Sequence, residues 1–556
     1  MGQPAELVVT NARILTMDDD SPRAEALAVV DGRIAAIGSA EQIGAMTGPG
    51  TKVLDARGAS VLPGFIESHI HLFAGAAELV HLQLSGVLGF EALKEKLQAY
   101  ALTRPDDPVL YGQSCDYTIM GEGRRLTRHD LDRIVPDRPV ALVAADHHTM
   151  WANTVALERA GLLQGRTLNP GNEVVMGEDG LASGELREGE AMTPVNRLAG
   201  EGRTRLGLET GGEPSVWPSP KEWEADKEIM RRGLAYAASF GITSFQNMDG
   251  NLYQFQLLEE IQNEGGLICR AQIPFHYKSP MTLADLDKAS GLGARFSSDW
   301  LKSGIVKIFM DGVLDSGTAY MIEPYADSAD GWRGEPYFSD KEFAELAIDI
   351  DRRGLQIAVH AIGDAAVRSV LDGYEAAREA NGVRDSRHRV EHIEVTTAQD
   401  LPRFAELGVI ASMQPPHPPG AMDFPLEPTV SKIGRRRWPW SYPCRTIRET
   451  GAHVVFASDW PVSPVDPILG IQAAVLRKRW ADDLPDQAFS LHEAIAGYTV
   501  EGAYAEFAED RKGRLRPGYL ADIVILSHDI EALPPEELHR ASAAVTICGG
   551  RITYEA

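Results

Sequence analysis

Two histidines one residue apart, His69 and His71, close the apolar stretch Pro63-Gly64-Phe65-Ile66-Glu67-Ser68-His69-Ile70-His71. Side chains alternate across a strand, so both imidazoles leave one face while Ile70 points away. Two neutral imidazoles side by side can grip one divalent ion, and zinc is the commonest occupant of such nitrogen sites. Such pairs also occur on strands that bind nothing, so their meaning depends on the rest of the chain. Other strand-like runs carry single polar residues near their ends: Lys307 in GIVKIFMDG, His360 in LQIAVHAIG, His392 in HRVEHIEV and Asp459 in HVVFASDWP. A lone histidine on an apolar strand is ordinarily a satisfied core residue. Four histidines, a lysine and an aspartate at matching depths in different strands read together as a metal site.

These residues need a frame that brings strand ends together. The middle of the chain alternates strand-like and helical runs, the pattern of a parallel sheet covered by helices. Eight strand-like runs are legible, at 63–71, 241–248, 267–275, 304–312, 355–363, 388–395, 408–416 and 453–461. Helical candidates such as KEWEADKEIMRRGLAYAASF and DKEFAELAIDIDRRG lie between several of them. Eight such units are what a closed (β/α)8 TIM barrel requires, and chemistry in that fold collects at the C-terminal ends of the strands. The expected α/β architecture assigns residues 63–74 and 220–509 to the barrel. The interval 72–240 is too long for a connection and must hold structure of its own. Residues 75–219 read as an inserted α/β subdomain over the barrel mouth. Residues 1–62 and 510–556 carry short strands and turns, Asp31-Gly32 and Gly549-Gly550 among them, and read as one small β-sandwich built from both chain ends.

Composition narrows the function classes. The 556 residues carry a formal charge of −26, which argues against a nucleic-acid partner. The basic run Arg435-Arg436-Arg437 reads as a local loop feature, at most a contact for a substrate carboxylate. Four widely spaced cysteines without a CxxC pair (Cys115, Cys269, Cys444 and Cys548) argue against a disulfide framework and fit a reducing compartment. The N-terminal stretch MGQPAELVVTNARIL shows no signal peptide, and no apolar run approaches the length of a membrane span. A cytoplasmic location and no membrane partner are therefore expected, and symmetry base rates favour a homodimer.

The set PGFIESHIHL, VKIFMDGVLDSGTA, HAIGDAAV, HRVEHIEV, FASDWPVSPVDPILGIQAAV and RKGRLRPGYLADIVIL resembles the strand motifs and C-terminal signature of the amidohydrolase superfamily. The resemblance is to its family 3 branch, the YtcJ-like metal-dependent hydrolases that include N-substituted formamide deformylases. Asp146-His147-His148-Thr149-Met150-Trp151-Ala152-Asn153 resembles the insertion motif of that family. The resemblance implies that His69 and His71 hold one metal and that His360 and His392 hold a second. It implies that Asp459 binds metal and moves the proton, and that Lys307 is carboxylated and bridges two ions. The competing reading leaves Lys307 unmodified, bonded to Asp311 or to substrate. Glu67 stands where aspartate is commoner, either orienting a ligand imidazole or tolerated as a longer acid. Gln246 and Asn247 depart from the histidine and acid of the family, which weakens a role for the second strand.

The expected reaction is hydrolysis of a non-peptide carbon–nitrogen amide bond, in an N-substituted formamide or an N-acyl amine. One or two ions, with Zn2+ the first expectation, lower the pKa of bound water to about 7 and polarise the carbonyl. Asp459 acts as general base and then general acid. His148, Trp151, Gln414 and His417 are the substrate-binding candidates. A deaminase on this fold would carry HxxE at the fifth strand, whereas His360 is followed by Ala361-Ile362-Gly363. A lactonase or ester hydrolase stays open, as does a non-catalytic metal-binding or regulatory protein.

Overall fold

The computed structural model describes residues 4–121, 123–144, 147–169, 172–199, 212–214, 217–278, 281–422 and 424–556. Asp146 of the insertion motif lies outside them. The chain forms two compact units, one of Met1–Leu72, Thr210–Gly212 and Met230–Ala556, the other of Phe73–Glu209 and Glu213–Ile229.

The first unit contains all eight anticipated strands: β1 (Phe65–Ile70), β2 (Ile242–Asn247), β3 (Arg270–Gln272), β4 (Ile305–Phe309), β5 (Gln356–Ala361), β6 (Arg389–His392), β7 (Ile410–Met413) and β8 (Val454–Phe456). They pair in parallel, and β1, β2, β5, β6, β7 and β8 are buried throughout. Parallel strands covered on both faces read as near-continuous apolar runs, which is why these were legible. Helices Asp340–Arg352 and Asp364–Asn381 flank β5, the first opened by a Ser339–Glu342 capping box.

The ladder departs from a closed ring. It falls into two arcs, one ordered Leu301–Lys302, β3, β2, β1 and the other Phe275–His276, β4, β5, β6, β7, β8. The third predicted strand is broken, its first half pairing in one arc and its second half in the other, while the short strand Leu301–Lys302, which lies ahead of the fourth, pairs in the first arc. Pro274, which has no N–H to donate, interrupts the third, and Gly304 at φ +112° separates Leu301–Lys302 from β4. Between β8 and β1, backbone bonds at the strand ends take the place of a ladder. The Asp459 N–H donates to His69 O at 2.9 Å, and the His71 N–H to Trp460 O at 2.8 Å.

The chain ends form two further sheets, the first from both ends and the second from the N-terminal end alone. One orders Arg551–Glu555, Ala543–Cys548, Ile523–Leu526, Ser60–Pro63, Arg13–Leu15 and Arg23–Ala24; the other orders Arg33–Gly38, Ala26–Val30, Leu7–Thr10 and Lys52–Asp55. Leu7, Val9, Ile14, Leu27, Val61, Ile523 and Ile547 share one core cluster. Asp31 and Gly32 both adopt positive φ, 49° and 69°, as a tight hairpin turn requires.

The second unit is an α/β layer on a six-stranded sheet. Along Val140–Ala144 the side chains alternate between two cores, Val140, Leu142 and Ala144 on one face and Ala141 and Val143 on the other. All four cysteines are buried and unpaired. Among the described residues, no helix is long and apolar enough to cross a membrane.

Candidate metal centre

β1 is buried end to end although it carries Glu67, Ser68 and His69. Polar side chains placed inside a core must find partners, and here the partners define a site. His69 Nδ1 meets Glu391 Oε2 at 2.7 Å, and His71 Nδ1 meets Asp249 Oδ1 at 2.7 Å. Each carboxylate is placed to accept a hydrogen bond from Nδ1–H, which in the neutral ring leaves Nε2 with its lone pair. Those two Nε2 atoms face one oxygen: Asp459 Oδ1 lies 3.3 Å from that of His69 and 3.0 Å from that of His71. Despite these short approaches, His69 Nε2 and Asp459 Oδ1 satisfy no hydrogen-bond geometry and remain buried without a partner. Lone pairs converging on a common point, instead of donors meeting acceptors, are what a cation requires. His69, His71 and Asp459 therefore fit a divalent metal.

The remaining predicted ligands adjoin this corner. The His392 ring lies 4.9 Å from that of His69 and 4.6 Å from that of His360, centroid to centroid. His392, His417 and Asp459 make a second set able to hold an ion. His360 Nε2 meets the Gly312 carbonyl at 3.1 Å, which leaves Nδ1 as its free lone pair. His392 Nδ1 meets Gln414 Oε1 at 3.0 Å. Gln414, anticipated as a substrate contact, thus orients a ligand candidate. His417 stacks parallel to His392 at 6.3 Å, and its buried Nε2 has no partner.

Lys307 is fully buried, and its Nζ has no hydrogen-bond partner. The alternative pairing with Asp311 does not occur, because that carboxylate is occupied by the N–H groups of Tyr320, Ile362 and Gly363 at 2.8–3.0 Å. Burial pushes the Lys307 amine down to about 8. Burial and the nearby Lys307 lower His69 to about 4, which keeps it a neutral ligand. At His71 burial works the same way, yet Asp249 and Asp459 outweigh it and raise the pKa to about 10, so without an ion the ring carries a second proton, which a bound metal would displace from Nε2.

Glu67 plays neither of its anticipated parts. Its carboxylate accepts the backbone N–H of His69 at 3.2 Å and that of Ser458 at 3.0 and 3.2 Å, tying β1 to the turn that presents Asp459. That turn is strained, with Asp459 at φ +59°, and so is the end of β6, where His392 stands at +76°. Non-glycine residues in this region cost on the order of 1 kcal/mol or more and persist where surroundings hold them.

Asp249 and Glu391 are functional residues that strand patterning did not reveal. In the second strand, Asn247 accepts the Leu72 N–H at 2.8 Å and donates to the Asp249 carbonyl, so the departure at this position serves architecture. His148 and Trp151 belong to the second unit. His148 Nδ1 meets Glu188 at 2.9 Å there, while Trp151 packs in a hydrophobic core at 2% exposure, which accounts for it without a ligand. Arg435 pairs with Asp483, and Arg437 is buried against the carbonyls of Ile433 and Pro324, so these two arginines are engaged within the protein.

Compared with known proteins, residues 52–554 match the family described as the amidohydrolase family. The chain is 29% identical to the putative amidohydrolase YtcJ of Bacillus subtilis, over 98% of both chains. It is 25% identical to the N-substituted formamide deformylase of Arthrobacter pascens, over 100% of this chain and 99% of that one. A crystal structure of an uncharacterized metal-dependent hydrolase from Pyrococcus furiosus superposes with a TM-score of 0.70 at 26% identity, covering 93% of this chain and 98% of that one.

Proposed function

Because this chain belongs to the amidohydrolase family, we propose that it hydrolyses a non-peptide carbon–nitrogen amide bond, in an N-substituted formamide or a related N-acyl amine. The convergence of His69 Nε2, His71 Nε2 and Asp459 Oδ1, with both Nδ1 atoms held by carboxylates, carries this reading. The two arcs are taken as the wall of a (β/α)8 barrel whose strand ends supply every group. A divalent cation, zinc by its liking for imidazole, would supply Lewis acidity toward a carbonyl oxygen and acidify water.

The chain's own residues do the rest. Asp459 accepts a proton from the attacking water as its oxygen bonds the carbonyl carbon. It then delivers that proton to the departing nitrogen as the carbon–nitrogen bond breaks, giving a carboxylic acid and an amine. Glu67 holds the turn on which Asp459 sits. Lys307 matches a lysine that gains CO2 at its neutral amine, with loss of one proton; the resulting carbamate offers two oxygens where an ammonium would repel a cation. His417, with its free Nε2, is the substrate contact assigned on the seventh strand.

The relative that deformylates N-substituted formamides supports the substrate class. Hydrolysis of N-formyl, N-acetyl and bulkier N-acyl amines, lactones and esters by zinc-loaded protein tests it. Amide turnover that Asp459→Asn lowers by about 100-fold or more is expected. Turnover confined to lactones or esters would overturn the amide assignment, and turnover of nothing in the panel would overturn the hydrolase reading.

A further inference from the structure

His276 lies just past β3, on the segment that pairs with β4, where it stands opposite Lys307. The loop after β2 presses onto this segment. A Cβ on Gly250 would lie 1.9 Å from the Pro274 carbonyl oxygen and 3.1 Å from the His276 nitrogen, so only a bare backbone fits there. That contact sets His276 close behind Asp249, the residue that holds His71. Lys278, Lys307 and His71 all act on it electrostatically. Its ring stacks on Phe309 at 5.3 Å and 17°, and Phe309 stacks in turn on His360 at 4.6 Å and 23°. His276 therefore belongs to the same strand-end layer as the metal-ligand candidates.

It differs from them in its bonding. His69, His71, His360 and His392 each have a named partner that fixes one ring nitrogen. His276 is only 3% exposed, yet neither of its ring nitrogens has a hydrogen-bond partner, and Nδ1 is wholly shielded. A buried imidazole always carries at least one N–H, and leaving that donor unmet is costly. The stack on Phe309 fixes the plane of the ring, so the donor is held in place before anything arrives to accept from it.

We infer that His276 contacts the substrate, donating its N–H to the oxygen of the scissile carbonyl. The inference rests on the amide-hydrolase reading above and names a group that stabilises the reacting oxygen. An amide brings that acceptor to the strand ends. Negative charge builds on the carbonyl oxygen as water adds, so a donor fixed in advance serves the transition state more than the ground state.

His276→Phe keeps a ring to stack on Phe309 and removes both nitrogens, while His276→Asn keeps a short N–H donor. For the best N-substituted formamide of the panel, zinc-loaded His276→Phe should lose about 100-fold in kcat/KM, chiefly in kcat, with its metal content unchanged. His276→Asn should recover part of that loss. Acetohydroxamate, a carbonyl-bearing ligand, should bind zinc-loaded His276→Phe about tenfold more weakly than wild type. Where wild type hydrolyses an amide, turnover decides, and wild-type kcat/KM in His276→Phe overturns the inference. Where wild type hydrolyses none, the amide-hydrolase reading falls and the hydroxamate decides: weaker binding upholds His276 as a carbonyl contact, and equal binding overturns it.

Discussion

The Glu391 carboxylate accepts a hydrogen bond from His69 Nδ1 across 2.7 Å, with both side chains fully buried. Glu391 precedes His392 on β6, so one strand supplies a ligand candidate and the clamp on a ligand from β1. Arg389 grips Glu391 at 2.7 and 2.9 Å and also bonds the Ser68 carbonyl at 2.8 Å, which joins the two strands through a paired charge network. Replacing Glu391 by Gln keeps the shape while removing the charge that holds the His69 tautomer. Zinc affinity should fall about 10- to 100-fold, as read by chelator competition. Unchanged affinity would show that the contact is incidental.

Lys307 yields a second prediction. Lys307→Ala should abolish turnover, and short carboxylates such as acetate or propionate should restore part of it by filling the space with two oxygens. A lysine acting only through its ammonium would not be rescued by an anion. Labelled bicarbonate should also give a carbamate carbon signal in wild-type protein that is absent from Lys307→Ala.

Gly250 tests packing at the rim. A methyl group there meets the Pro274 carbonyl at 1.9 Å, so Gly250→Ala must displace the loop carrying Asp249 or the segment carrying His276. A loss of roughly 1–3 kcal/mol in unfolding free energy is expected, together with weakened zinc binding. Wild-type stability and zinc affinity in this variant would contradict the described packing.

Asp351 carries a pH prediction away from the metal centre. Burial works against its charge, but His388, Asn381 and Arg384 outweigh burial and hold the pKa near 2, below the ordinary carboxylate range. An acid with a depressed folded pKa contributes stability above its unfolded pKa and loses it as pH falls through the folded one. Asp351→Asn should therefore be less stable than wild type by about 2 kcal/mol near neutral pH, since it gives up the charge-assisted bond to Arg384 and weakens those to His388 and Asn381. That gap should narrow in denaturant titrations as pH drops from about 4 toward about 2. A gap independent of pH would show that Asp351 titrates alike in the folded and unfolded protein, against the depressed pKa.

Much of the frame was readable in the chain because parallel core strands are apolar along their whole length, and the polar exceptions at their ends then stand out. Period-two patterning was less informative about what holds those exceptions. Alternation assigns Glu391 and His392 to opposite faces, yet both serve one site because His392 turns into left-handed backbone as β6 ends. Asp249 follows β2 in an irregular segment where no periodicity applies. The break in the third strand was also hidden, since Pro274 interrupts pairing without interrupting the strand-like run, and the two-residue strand Leu301–Lys302 ahead of β4 carried no signal of its own. Trp151 shows the converse: a motif resemblance suggested a ligand contact, while its environment is hydrophobic core.

The central claim is that His69, His71 and Asp459 hold a metal on which amide hydrolysis depends. Its most direct test is a zinc titration of chelator-stripped protein that follows bound metal and amine release from an N-substituted formamide together. The stripped protein should show no turnover, activity should return in proportion to zinc bound, and His71→Ala should lose both binding and recovery. Amine release from stripped protein, or full zinc binding and recovery in His71→Ala, would contradict it.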